Sequence, residues 1–273
     1  MSEYQYYDFL AIDKPLTKQQ QKKLREISTR ATITSHRMSN EYHYGNFKGN
    51  SRKLLNEYFD LFLYNSNFGY HEALYKIPHT PWMDQAFDGF RSFFPIEKVG
   101  DHLIIETSVE LEEGGDPDYD ADVTLLEPMR QSLLRGKLDA LYIPWLYDVY
   151  HLAESDPEML EPCDVTMLSP PDDHLWLYAS FFEIPSDLVE HAYRDVPASS
   201  PELSITDDAT TRRWLKTLKA KEREDLLVDL LKDETGHTLN QLRGRYFSDT
   251  ISSKKPASPV ARRPVYQLLP PNS

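Results

Sequence analysis

The first 80 residues alternate between strand-like and helix-like patterns, and this order restricts the fold more than any other feature of the chain. Tyr4 to Ile12 is rich in aromatic residues and precedes a proline, which predicts a strand. Thr17-Lys18-Gln19-Gln20 fits a capping box, so a helix is expected from there to about Ser28. Two short β-prone runs follow, Ala31 to Thr34 and Glu41 to Tyr44.

A second helix and a further strand continue this pattern. Ser51 can cap a helix whose apolar residues recur at a spacing of three to four, namely Leu54, Leu55, Tyr58, Phe59 and Phe62. Ala73 to Ile77 then predicts a strand closed by Pro78. The order β-α-β-β-α-β is that of a ferredoxin-like domain, which we expect here. Phe93 to Val99 and His102 to Val109, separated by Gly100-Asp101, predict an added hairpin.

From Val123 onward, the apolar residues recur at the spacing that is typical of helices. Leu138 to Leu152 is apolar on all sides and contains Pro144, which predicts a buried, kinked helix. The other expected helices are one lined by Leu126, Met129, Leu133 and Leu134, then Leu175 to Phe182, Ser186 to Tyr193, Lys219 to Lys232 and Thr238 to Phe247. The predicted class is α+β, with an α+β domain at 1–110, an acidic loop at 111–122, a helical domain at 123–250 and a Ser/Pro-rich flexible tail at 251–273.

Composition indicates a cytoplasmic protein that does not interact with membranes. No apolar stretch approaches the ~20 residues of a membrane span, and the acidic, tyrosine-rich N-terminus is unlike a signal peptide. The single cysteine, Cys163, has no evident activating base, so an inert thiol is expected. The sequence contains no P-loop and no GxGxxG, GxSxG or HExxH motif. We therefore expect no cofactor and lean towards a protein that is not an enzyme.

The acidic charge is concentrated in the middle of the chain. The net charge is −14, and residues 97–173 hold 20 acidic against 4 basic residues. Residues 1–96 carry +2, and residues 174–273 are neutral. Such a block repels nucleic acid and attracts a basic partner. The alternative is a solvated acidic loop and helix face that only keeps the protein soluble.

The segment Asn40 to Gly49 interleaves aromatic rings with hydrogen-bonding side chains. Rings with polar groups can stack on a ligand, as the exposed aromatic residues of RRM sheets stack on single-stranded bases. In the alternative, the rings pack between sheet and helix. The candidate binding residues of this segment are Tyr42, His43, Tyr44, Asn46 and Lys48.

Three stretches together resemble a family of bacterial proteins. These are Asn40 to Gly49, the opening Met1 to Phe9 and the stretch Ala11 to Leu16. The resemblance covers residues 2–77 best and is weaker at 125–149 and 168–188. It implies a cytosolic bacterial protein and a fold, but it implies no reaction, substrate or cofactor.

The acidic segment contains a spacing similar to a calcium-binding EF-hand loop. Carboxylates stand at positions 1, 3, 5, 7 and 12 of that loop, which are Asp116, Asp118, Asp120, Asp122 and Glu127. Ala121 occupies the position of the turn glycine, and the preceding segment is a poor helix. An acidic loop leading into a helix N-terminus is therefore the competing interpretation.

The C-terminal tail contains a candidate docking segment for another protein. Basic residues precede apolar anchors in the order Arg262, Arg263, Tyr266, Leu268 and Leu269. A disordered terminus is the alternative.

These observations lead to three hypotheses about function. The first is a non-enzymatic interaction or adaptor subunit of a bacterial multiprotein system, with a protein partner that carries basic residues. The second is a single-stranded nucleic-acid binder that uses the aromatic segment. The third is a calcium- or metal-dependent protein that uses the acidic loop.

Overall fold

The computed structural model of the protein describes residues 4–45, 47–111, 121–198, 208–232, 239, 242, 245–246, 249 and 262–271. The fold is mixed α+β, with an antiparallel sheet of seven strands in the N-terminal part and helices in the C-terminal part. No helix among the described residues is long and apolar enough to cross a membrane.

The sheet joins strands that are both near and far apart in sequence. Its strands are β1 (Gln5–Leu10), β2 (Thr32–Ile33), β3 (Arg37–Tyr42), β4 (Leu61–Ser66), β5 (Tyr70–Pro78), β6 (Ile96–Val99) and β7 (His102–Glu110). Their order across the sheet is β2-β3-β1-β4-β5-β7-β6. Strand β4 lies in the centre, and all six of its residues are buried.

Ten α-helices have both ends within the described residues. They are α1 (Lys18–Ile27), α2 (Ser51–Tyr58), α3 (Pro81–Ala86), α4 (Leu126–Leu134), α5 (Asp139–Trp145), α6 (Val149–Ser155), α7 (Asp173–Phe181), α8 (Ser186–Tyr193), α9 (Asp208–Thr217) and α10 (Ala220–Lys232).

Two predictions that rest on neighbouring residues are confirmed, and a third is wrong by one residue. Thr17 and Gln20 form both halves of the capping box at the start of α1. The predicted hairpin is β6–β7, where Val99 pairs with His102 and Gly100 takes a positive φ of 64° in the two-residue turn. The cap of α2 is shifted by one residue, because the side chain of Asn50 rather than Ser51 accepts the backbone N–H of Lys53.

The predicted ferredoxin-like topology is not confirmed, because the order of the sheet differs and a strand was missed. Helix α2 ends at Tyr58, and the chain enters β4 three residues later. Phe62, which the apolar spacing placed on the helix, lies in that strand. Ala73 to Ile77 belongs to β5, the fifth strand of the chain rather than the fourth. A short apolar run suits a strand as well as a helix, so periodicity alone could not locate this boundary.

The predicted helix Leu138 to Leu152 is broken at its proline. Helix α5 contains Pro144 and is followed by a 3₁₀ turn before α6 begins. Proline has no N–H, so it cannot donate to the carbonyl of Ala140 one turn earlier. The hydroxyl of Tyr178 in α7 donates to this carbonyl instead, at 2.9 Å. A hydrogen bond from another helix thus satisfies the carbonyl oxygen of Ala140, to which Pro144 cannot donate.

Helices cover the two faces of the sheet unequally. Leu24 of α1 and Leu55 of α2 pack on Phe9 and Phe62, on one face. On the other face, β4 and β5 share a large core with α4, α5, α7 and α8. The predicted division into domains at 1–110 and 123–250 remains a prediction, although side chains from both segments meet in this core.

A buried carboxylate ties β1 to β3 and to the end of the acidic segment. Asp8 is fully buried, and Arg37 Nε donates to its Oδ1 at 2.9 Å. The backbone N–H of Val123 and the hydroxyl of Tyr6 donate to Oδ2, each at 3.0 Å. Burial, together with the charge of Asp8, raises the pKa of Tyr6 to about 12.

We expect Asp8→Asn to lower the free energy of unfolding by about 2 kcal/mol, because the amide is uncharged and one of the two acceptor oxygens becomes an NH2 group that cannot accept a hydrogen bond. Asp122→Asn is the matched control. Asp122 lies 3.3 Å from the same arginine but is 38% exposed, so its loss should change stability by less than about 1 kcal/mol. Urea denaturation of the two variants measures the difference, and equal effects would contradict this role of Asp8.

Candidate binding face of the sheet

Helices α1 and α2 cover only part of their face of the sheet. Met38, Phe9, Phe62 and Leu74 are paired in register across four strands, and all four are buried. Side chains two residues further along each strand point to the same side. The register there pairs Asn40, Tyr7, Tyr64, Glu72 and Ser108. The apolar row beneath the helices is therefore followed by a polar, aromatic row.

We call this part of the sheet the tyrosine face. It consists of Tyr7, Asn40, Tyr42, Tyr64, Tyr70, Glu72, Glu106 and Ser108. Tyr64 is buried at 6% exposure, and the other seven residues are half-buried. The face is therefore reachable from solvent, although its centre is tightly packed.

The aromatic rings of the tyrosine face are held in place by one another. The ring centroids of Tyr7 and Tyr64 are 4.7 Å apart, and Tyr7 meets Tyr42 edge-on at 5.6 Å. The hydroxyls of Tyr7 and Tyr64 both donate to Oε1 of Gln5, at 2.9 and 3.2 Å. The ring of Tyr70 lies 5.7 Å from that of Tyr64. Rings fixed in this way lose little conformational freedom when a ligand binds.

A pair of carboxyl groups borders these rings. Burial, the nearby charge of Glu106 and a hydrogen bond to that carboxyl raise the pKa of Glu72 to about 8. At neutral pH, Glu72 is therefore mostly protonated, and its carboxyl group is hydrogen-bonded to Glu106. Burial also raises the pKa values of Tyr7 and Tyr70, and the charge of Glu72 adds to both.

A guanidinium group already lies beside this pair. Arg52 of α2 is 3.4 Å from Glu106 through Nη1 and 2.6 Å from Glu97 through Nη2. Its side chain is 32% exposed. The arginine thus balances part of the negative charge at the border between α2 and the tyrosine face.

The residues of the predicted aromatic segment divide between packing and solvent. Tyr42 belongs to the tyrosine face, and its hydroxyl lies 3.2 Å from Oγ of Ser28. Tyr44 is 84% exposed, and both His43 and Lys48 are exposed as well. Asn46 lies outside the described residues. Some side chains of this segment are therefore exposed to solvent, whereas Tyr42 packs on the sheet.

Sequence reasoning missed most of the tyrosine face. The overlooked residues are Tyr7, Asn40, Tyr64, Tyr70, Glu72, Glu106 and Ser108. The alternation of Tyr70, Glu72 and Leu74 does show the two-residue period of one sheet face. Nothing in the sequence shows which strands are neighbours, so these residues could not be assembled into one site.

The predicted docking segment packs on the protein itself. Val265 and Leu268 are fully buried, and Pro264 forms a β-bridge with Leu160. Arg263 donates to both carboxylate oxygens of Glu161, each at 2.9 Å. Arg262 and Tyr266 remain exposed, and Leu269 is half-buried. Binding of another protein by these residues remains a prediction.

The predicted calcium loop lies mostly outside the described residues. This applies to Asp116, Asp118 and Asp120. Burial acts to raise the pKa of Asp122, but hydrogen bonds from Thr124 and the charge of Arg37 lower it below its usual range. Burial raises the pKa of Glu127. Within the described part of the chain, no three or more His, Cys, Asp or Glu residues form a group that could hold a metal.

A cleft of about 190 Å³ lies at the opposite end of β5 from Glu72. Asp13, Asp60 and Lys76 are among its lining residues. Asp60 accepts the backbone N–H groups of Ile12 and Asp13, each at 2.7 Å, and lies 3.1 Å from Lys76 Nζ. The charged groups of the cleft thus hold the chain together, which makes the tyrosine face the stronger candidate.

Comparison of the chain with protein-family models, curated proteins and solved structures produced no match. The function must therefore be argued from the site itself.

Proposed function

We propose that the protein is a non-enzymatic adaptor subunit of a bacterial multiprotein system and that a partner protein docks on the tyrosine face. The observation that carries the proposal is the row of fixed rings on a part of the sheet that α1 and α2 leave uncovered. Tyrosine is enriched at protein interfaces because it combines a large apolar area with a polar group and few rotatable bonds.

The charge of the face favours a protein over a nucleic acid. Glu72 and Glu106 border the rings, and the nearby Arg52 is paired with Glu106 and with Glu97. Nucleic-acid binders instead surround stacking rings with unpaired basic residues. Glu106 and Glu97 together carry one more negative charge than Arg52 balances, which disfavours a phosphate beside the tyrosines.

Site-specific photocrosslinking tests the proposal. A benzoylphenylalanine placed at Tyr70 should yield a discrete protein adduct in extracts of the natural host, because the ring lies at the edge of the face. The same group at Leu177, which is 59% exposed on α7 in the opposite layer, is the control and should yield no such adduct. Equal labelling at both positions would contradict the proposal, and an adduct destroyed by nuclease would support the nucleic-acid hypothesis instead.

Once the partner is identified, its affinity can be measured against two tyrosine variants. Tyr7→Ala should weaken binding at least tenfold, since aromatic anchors dominate interface energies. Tyr266→Ala, a change at the 45%-exposed ring of the C-terminal segment, should leave binding unchanged. The reverse result would assign docking to the C-terminal segment.

A further inference from the structure

The carboxyl groups of Glu72 and Glu106 lie on neighbouring strands of the tyrosine face. In the β5–β7 register, Glu72 pairs with Ser108 and Glu106 pairs with Leu74, so the two glutamates are diagonal neighbours. Their side chains are hydrogen-bonded to each other. The two carboxyl groups are therefore close enough for a single cationic side chain to reach both.

The groups that face Glu72 are acidic or neutral on every neighbouring strand. Strands β1 and β4 contribute the hydroxyls of Tyr7 and Tyr64, and β5 itself contributes Tyr70. Strand β7 contributes Glu106 and Ser108, with Glu110 beyond them at Tyr70.

The cations nearest to this pair are already engaged. Arg52 of α2 is held by Glu106 and Glu97. Lys76, further along β5, lies 3.1 Å from Asp60. Within the described residues, the charge around Glu72 is thus complementary to a positive ligand.

We infer that the partner segment is basic and that a lysine or arginine side chain binds between Glu72 and Glu106, against the rings of Tyr64 and Tyr70. The inference rests on the proposed function and specifies the chemistry of its partner. Carboxylates bind guanidinium and ammonium groups through charge-assisted hydrogen bonds, and tyrosine rings add cation–π attraction. The contact of Arg52 with Glu106 shows that a guanidinium fits beside this carboxylate.

Binding of such a cation must release a proton. In the free protein, Glu72 carries a proton at neutral pH, because its pKa is raised to about 8. A positive ligand favours the ionised carboxylate, so the proton leaves to solvent as the ion pair forms. By linkage, affinity should rise about tenfold per pH unit below pH 8 and level off above it.

Titration calorimetry of the full chain with the blocked peptide Gly-Arg-Gly-Arg-Gly tests the inference. At pH 7, the binding heats in phosphate and in Tris should differ by the amount expected for release of about one proton per peptide. Glu72→Gln should abolish both the proton release and the rise in affinity from pH 6 to pH 8. Glu224→Gln, a charge removal at an exposed site on α10, should leave both unchanged.

The inference would be overturned by no binding up to several millimolar peptide, by binding without proton release, or by equal binding of a peptide with citrulline in place of arginine. Tighter binding of oligothymidine than of the peptide would also overturn it. A crosslinked partner at Tyr70 together with any of these results would retain the docking proposal and reject only its basic chemistry.

Discussion

Replacing Arg263 by methionine is expected to lower the free energy of unfolding by about 3 to 5 kcal/mol, because it leaves a buried carboxylate without its cation. Glu161 is fully buried and Arg263 is only 10% exposed. The guanidinium also donates to the carbonyl of Ala192 at 2.7 Å and contacts Asp195 at 3.1 Å.

Two variants distinguish the loss of this ion pair from the loss of a basic side chain in general. Arg262→Met changes the preceding, exposed arginine and should alter stability by less than about 1 kcal/mol. Adding Glu161→Gln to Arg263→Met should recover part of the loss, because a neutral amide is cheaper to bury than a carboxylate. Urea denaturation followed by circular dichroism measures all three. No recovery in the double variant would show that packing, rather than the buried charge, accounts for the loss.

The second large effect is a dependence of stability on pH that comes from Glu72. Its pKa rises from 4.5 to about 8 on folding, so the folded chain binds the proton more tightly than the unfolded chain does. The resulting stabilisation is fully present below pH 4.5 and is lost as the pH rises through 8. We expect Glu72 to contribute a loss of roughly 3 to 5 kcal/mol over this range.

Comparison of the wild type with Glu72→Gln isolates this contribution from that of other titrating groups. The glutamine cannot ionise, so the variant should be more stable than the wild type at pH 8 and similar to it at pH 5. Chemical denaturation at half-unit pH steps measures the difference between the two curves. Parallel curves between pH 5 and pH 8 would contradict the raised pKa and remove the expected proton release on binding.

Local parts of the fold were predicted where neighbouring residues determine them. The capping box depends on contacts between Thr17 and Gln20, and the β6–β7 turn depends on Gly100, so both could be predicted from short stretches of sequence. Helix α8 has the predicted bounds, Ser186 to Tyr193, and it starts directly after a proline. In each case the residues that determine the feature lie close together in the sequence.

Contacts over longer distances escaped prediction. Glu161 and Arg263 are 102 residues apart, and each looks like an ordinary surface charge in the sequence. The carbonyl of Ala140, which Pro144 cannot bond, accepts a hydrogen bond from the hydroxyl of Tyr178, 38 residues away. A buried polar group needs a partner, but the sequence does not specify which residue provides it.

In the candidate site too, local features could be predicted from the sequence and long-range contacts could not. The sequence by itself determined an α+β chain with an acidic middle, an aromatic N-terminal part and no common catalytic motif. Only the tertiary structure decided that β4 lies between β1 and β5, which places Tyr7, Tyr64 and Glu72 in one row. The physical reason is that strand order depends on pairing and burial between segments far apart in the sequence, and the pattern of one segment does not identify its neighbours.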